Sequence, residues 1–312
     1  MESVQGFTAP NFSVSNDEGN AESKGAQKYK SPGALATAGG VTAGLVVNGL
    51  VQSPTNIVAG KILDKMHTVC GSVTKDEFIQ ADRAAAATLK STGLEEKGVG
   101  IINASFSNLD EIRKIMSKEI DNSFLKHLPK DVKEVLGYMA SSPMANGDNA
   151  CYTFASKKIL LPENGLRLSV FHEMGHAVNA NLSTAGKLLQ KCRPMSLLAI
   201  PVALTGIFKT KKAPGEEPNG KIDKVTTFVK DNAGKLAFCA FLPTILEEGL
   251  ATMRGNKYAK ELLSPELAKK VAKTNALGFS TYVLAAALSG LGACLGSKAR
   301  DYIAGRKPVE EK

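Results

Sequence analysis

Two of the chain's 4 histidines stand four residues apart in SVFHEMGHAVNA (169–180), with a glutamate directly after the first. Residues i and i+4 share a face only on a helix, so the spacing carries meaning only if this stretch is helical. On that face His172 and His176 can aim ring nitrogens at one divalent ion, and Zn²⁺ takes imidazole readily into a tetrahedral set of four ligands. Glu173 then projects beside the ion without binding it, where a general base for an activated water belongs. Gly175, in the turn between, leaves room for a close neighbour. The competing reading is a satisfied histidine pair on an ordinary amphipathic helix, but so few histidines in 312 residues make a chance H-E-x-x-H improbable.

Two imidazoles and a water leave a tetrahedral ion one protein ligand short. Residues 177–186 read AVNANLSTAG, and no histidine occurs further on, so the missing ligand is expected to be a carboxylate. LEEGLAT (246–252) offers Glu247 and Glu248. Glu248 is preferred, because Ala251 then lies one turn on as a small residue against the metal helix. Glu247 either hydrogen-bonds a ligand histidine or faces solvent. Two apolar runs, 194–208 and 236–246, lie between His176 and Glu248, separated by a lysine-rich loop (209–235). If the runs form a hairpin, the chain comes back to the level of the histidines and delivers Glu248 there.

Residues 1–32 are polar and read as a disordered tail. No early apolar segment follows Met1, so no cleaved signal peptide is expected. Residues 33–52 form a candidate membrane helix, uncharged from 33 to 51, in which Gly40 and Gly44 have the small-xxx-small spacing of packed membrane helices. The region 53–149 reads as soluble and mostly helical. Thr74-x-x-Glu77 is a capping box opening the helix 76–90, GVGIINA (98–104) a short strand, and 109–128 a second helical stretch. His67 and His127 lie there without partner motifs. ACYTFASKKILLPE (150–163) reads as two short strands around a turn, and either CYTF or KKILL offers an edge to an extended peptide. The domain 150–312 continues with the metal helix and three apolar helices, 194–208, 236–253 and 275–296. Only the last crosses a bilayer comfortably by length, and Pro201 and Pro243 interrupt the other two. The expected class is mainly α with a small β-sheet (α+β).

The net charge of +9 favours anionic surroundings. Its lysines flank apolar runs, as in FKTKKAP (208–214), and no zinc-finger spacing, basic helix or aromatic-studded basic strand accompanies them. Membrane lipid is therefore the expected partner, and nucleic acid is not. The 5 cysteines lack a C-x-x-C pair and read as reduced, packing thiols.

FHEMGHAVN, LPTILEEGLATMRG (242–255) and STYVLAAALSG (280–290) together resemble the membrane-associated neutral zinc metallopeptidases of the YugP type, and more distantly HtpX-like membrane proteases. The likeness covers roughly 150–296. It implies a zincin-like catalytic domain of the gluzincin type with one Zn²⁺ per chain. His172, His176 and Glu248 match the metal ligands, Glu173 the catalytic glutamate, Ala251 and Arg254 the alanine and arginine of the second block, and Tyr282 the Thr-Tyr-Val tyrosine of the third. Thr252 departs from the family's serine, and 53–149 has no counterpart. The implied activity is hydrolysis of peptide bonds in an extended protein or peptide substrate. The implied location is integral and multi-pass, the cell membrane in a bacterium. Arg254 and Tyr282 are candidate oxyanion donors; the alternatives are a salt bridge to Glu247 or a surface charge for Arg254, and a tyrosine packed in an apolar helix for Tyr282. The other functional class to weigh is a non-catalytic membrane scaffold or adaptor that keeps a peptidase-like fold, and a third is a basic surface binder in which H-E-x-x-H is incidental.

Overall fold

The computed structural model describes residues 29–309 and is mainly helical, with a small sheet. Strand β1 (Tyr29–Lys30) pairs antiparallel with β5 (Lys307–Pro308). Residues 1–28 of the stretch read as a tail lie outside the described residues, while its end, at Tyr29–Lys30, is held in this ladder. Helix α1 (Ala34–Gln52) covers the candidate membrane helix, and α2 (Pro54–Gly71) follows it after Ser53, with the proline in its first turn where no backbone donor is needed.

A globular body forms around the sheet. Helix α3 (Lys75–Ser91) opens on the capping box: Glu77 N donates to Thr74 Oγ1 at 3.2 Å, and Thr74 N donates to Glu77 Oε2 at 2.8 Å. Strand β2 (Gly100–Ala104) leads to α4 (Leu109–Asp121) and α5 (Lys130–Asn146). The stretch 109–128 is thus not one helix. Ser123 Oγ accepts from Leu125 N at 3.0 Å and starts a separate 3-10 turn over Phe124–His127, because a short hydroxyl side chain offers the backbone a local alternative. Strands β3 (Cys151–Thr153) and β4 (Lys158–Pro162) follow, and the sheet order is β2-β4-β3 with β4 parallel to β2 and antiparallel to β3. KKILL therefore lies in the central, buried strand, and of the two candidate edges only the CYTF strand is one.

Helix α6 (Val170–Leu182) carries both histidines and packs beside this sheet, then α7 (Thr184–Cys192) and a 3-10 stretch (Arg193–Leu198) lead into α8 (Ala199–Phe208). The loop expected over 209–235 is shorter. It gives way to α9 (Gly220–Asp231) and α10 (Ala233–Cys239), since Ile222, Val225 and Phe228 recur at helical spacing among the lysines. The apolar run 236–253 breaks at Ala240, and α11 (Leu242–Leu262) restarts with Pro243 in its first turn. The last helix, α12 (Pro265–Ala304), is 40 residues long.

Small residues decide where the apolar helices meet. A Cβ on Gly44 would lie 2.8 Å from the Gly296 carbonyl, and one on Gly40 would lie 2.5 Å from Ala304 Cβ, so α1 and α12 touch through their glycines. Ala199 and Ala203 of α8 meet Ala233, Ala237 and Ala240, with Ala293 of α12 completing the cluster. The hairpin between His176 and Glu248 is therefore present as α8 packed on α10. Four helical segments are long and apolar enough to cross a membrane: Ala34–Gly71, Thr184–Phe208, Ala233–Leu262 and Pro265–Ala304. The first of these contains the stretch 33–52 read as a membrane helix; of the three later runs the sequence alone credits only the last with comfortable length, and the other two reach it because α7 runs on into α8 and α10 into α11.

Candidate metal centre

Two backbone contacts fix α6 against α11. A Cβ on Gly175 would lie 2.1 Å from the Ala251 carbonyl oxygen, and a Cβ on Gly255 would lie 2.3 Å from that of Phe171. Residues 171 and 175 are one turn apart on α6, and 251 and 255 one turn apart on α11, so crossing point and register are both set. Glu247 and Glu248, a turn before Ala251, then come level with His172 and His176.

The donors converge. His172 Nε2 lies 3.1 Å from His176 Nε2 and 3.1 Å from Glu248 Oε2, and His176 Nε2 lies 3.4 Å from that same oxygen. Ligands on a tetrahedral ion, each about 2.0–2.1 Å from it, stand about 3.3 Å apart, so these donors have the mutual spacing of a metal-ligand set. His176 Nδ1 faces Glu247 Oε1 at 2.9 Å, an acceptor, which holds a proton on Nδ1 and leaves Nε2, toward the other donors, as the nitrogen that would bind a metal on giving up its own proton. Thr252 Oγ1 lies 3.3 Å from His172 Nδ1. Burial alone would lower the pKa of His176, but the carboxylates of Glu248 and Glu247 outweigh it and raise it to about 10.

Glu173 is buried beside this group, and its Oε2 accepts from Tyr152 N of β3 at 2.7 Å. Burial pushes its carboxyl up from the ordinary value, although His176 and His172 pull the other way. His172 and Glu173 open onto a cleft of about 300 Å³. Leu63 and Met66 of α2 form one wall, Gly278, Thr281 and Tyr282 of α12 another, and Asp148–Ala150 the rim. Asp148 is tied across that rim to His67 at 3.0 Å.

Both glutamates of LEEGLAT are fully buried, so Glu247 does not face solvent. Its Oε1 accepts from Asn179 Nδ2 at 2.7 Å and Gln190 Nε2 at 3.1 Å, and Arg193 Nη1 reaches its Oε2 at 2.8 Å. Arg193 Nη2 also lies 2.6 Å from Glu248 Oε1, so one guanidinium grips both carboxylates. Arg254 is not at the site and makes no salt bridge to Glu247. It lies nearly two turns further along α11, where it donates to Asn179 Oδ1 and, at 3.0 Å, to Ser183 Oγ. Tyr282 does line the cleft, with the Arg193 guanidinium 5.9 Å from its ring centre. Arg193, Gln190 and Asn179 escape the sequence reading. Asn179 had a faint signal, three residues after His176 on one helix face, whereas Gln190 and Arg193 belong to no motif and arrive through the turn from α6 into α7.

Set against known proteins, the chain matches no family model, no curated protein and no solved structure.

Proposed function

We propose that this chain is a membrane-bound zinc metalloendopeptidase of the gluzincin type, with one Zn²⁺ held by His172, His176 and Glu248 and with Glu173 as general base. One observation carries the reading: two imidazole nitrogens and a carboxylate oxygen converge at 3.1, 3.1 and 3.4 Å beside a buried carboxylate that is not one of the three. The donor chemistry fits, since nitrogen and carboxylate oxygen are the ligands of catalytic zinc and a fourth position is left for water or substrate. Bound there, zinc supplies a Lewis acid for a peptide carbonyl and a water of lowered pKa.

The chain's own groups do the rest. Glu173, held at Oε2 by the Tyr152 amide, takes a proton from the attacking water and passes it to the leaving amine; its raised proton affinity suits both transfers. Glu247 keeps His176 in the ligating tautomer, and Arg193 balances the paired negative charge of Glu247 and Glu248. The Tyr282 hydroxyl, on the cleft wall, is the candidate donor to the oxyanion. An extended protein or peptide substrate lies along β3, the sheet edge next to Glu173. The four apolar segments support a multi-pass protein, and Glu247 and Glu248 belong to the third of them, Ala233–Leu262. The likeness of its three sequence blocks to YugP-type peptidases agrees with this assignment and with a zincin-like domain built on α6 and the sheet.

The test is hydrolysis of an unfolded protein by the zinc-loaded chain in lipid nanodiscs. Glu173→Gln is expected to keep its zinc and lose at least about 100-fold in rate. Equal rates for wild type and variant, at the background level, would leave the non-catalytic scaffold as the reading.

A further inference from the structure

Helix α9 is turned the wrong way round for water. Asp223 faces inward, paired with Lys209 and, at 2.8 Å, with Lys212. Lys230, only 4% exposed, donates to the Gly206 carbonyl at 2.7 Å and pairs with Asp301 at 2.9 Å. The opposite face carries Ile222, Val225 and Phe228 at 82, 61 and 60% exposure, three residues apart and so on one stripe. An amphipathic helix in water turns its apolar stripe to the core; α9 turns its polar face to the core and its apolar stripe out.

The occupant of that outer face follows from what surrounds it. α9 bridges the ends of α8 and α10, both parts of apolar segments, and its Lys230 reaches Gly206, Ser297 and Asp301, near the end of α12, where Gly40 of α1 packs on Ala304. Large apolar side chains are exposed on every segment of the bundle, Leu50, Ile200, Leu246 and Leu291 among them. A second copy would cover one patch, whereas apolar side chains left exposed on all four segments call for lipid. Lys221 and Lys224 flank the stripe, both exposed, and anionic headgroups complement them.

We propose that α9 is an interfacial helix that seats Ile222, Val225 and Phe228 at the headgroup–acyl boundary of an anionic leaflet, with Lys221 and Lys224 on the phosphates. The proposal rests on the membrane part of the function assigned above and on neither zinc nor catalysis.

The chain has no tryptophan, so Phe228→Trp and, separately, Ile222→Trp report on α9 alone, and Leu291→Trp reports on the bundle. Each full-length variant is reconstituted with lipids brominated at shallow or deep acyl positions. An interfacial helix sits about 5–10 Å into the boundary, so shallow bromines are expected to quench the α9 reporters about twofold more than deep ones, with the reverse for Leu291→Trp. Quenching is expected to be stronger with phosphatidylglycerol than in phosphatidylcholine alone, and Lys221→Gln with Lys224→Gln to abolish the difference. Quenching of Leu291→Trp with none at α9 would overturn the proposal and leave the bundle in the membrane; quenching of neither would overturn the membrane reading as well. Crosslinking of Val225→Cys between copies, above that of the native cysteines, would make the face a protein contact and overturn it too. A signal indifferent to phosphatidylglycerol would overturn the anionic preference.

Discussion

Glu247 binds no metal in the proposed centre, yet four side chains meet at its carboxylate: His176, Asn179, Gln190 and Arg193. Such a partner orients a ligand and raises its basicity, and losing it typically costs about 10–100-fold in metal affinity. Glu247→Gln is therefore expected to weaken zinc binding by about that factor in a competition titration with a chromogenic chelator, while leaving the stoichiometry unchanged. The same cluster sets a pH dependence. In the metal-free protein His176 holds its proton up to about pH 10, against about 6.5 for a free imidazole. A group raised in the folded state contributes stability that is complete below its unfolded value and disappears as pH rises through its folded value. Metal-free protein is thus expected to melt at progressively lower temperature between about pH 7 and pH 10. Zinc displaces the same proton, so its affinity is expected to rise over that window, with proton release on binding that calorimetry in buffers of different ionisation enthalpy measures.

At the scale of elements, the centre depends on how closely α6 and α11 approach. Gly175→Ala puts a methyl group where only 2.1 Å separates it from the Ala251 carbonyl. Forcing the helices apart is expected to cost about 1–3 kcal/mol and to lower zinc affinity with it. Thr74→Ala, which removes a cap on α3 far from the site, is expected to cost about 1 kcal/mol and leave zinc binding unchanged. Both are read from denaturant melts alongside zinc titration. These two positions also mark what the sequence discloses. The capping box, the short strands and the H-E-x-x-H helix are written in local patterns of three to five residues, and each forms near its expected place. Glu248 and Ala251 were legible because small and acidic residues recur at one-turn spacing. Arg193 was not, because a guanidinium that grips two carboxylates from another element leaves no periodic trace. Helix α9 escapes the sequence reading for a different reason: Ile222, Val225 and Phe228 are few among the lysines, and the prolines and glycines before them read as a loop.

For the whole molecule, the apolar bundle and the body that carries the candidate metal centre share α12, whose first part lines the cleft and whose second part packs on α1 through Gly44 and Gly296. The region 53–149 is not peripheral either, since Leu63 and Met66 wall the cleft. The apolar bundle and the site are thereby joined on one helix. Gly44→Leu, which drives a side chain into the Gly296 carbonyl, is expected to loosen α1 from α12 and to make the linker at Ser53–Pro54 more sensitive to limited proteolysis in nanodiscs. The proposed centre holds one ion between α6 and α11, and counting metal per chain tests this most directly. Zinc measured by elemental mass spectrometry on purified, folded protein is expected at one per chain for wild type and Glu173→Gln, and near zero for His172→Ala and Glu248→Ala. Wild type without stoichiometric zinc after loading, or Glu248→Ala that retains a full complement, would contradict it.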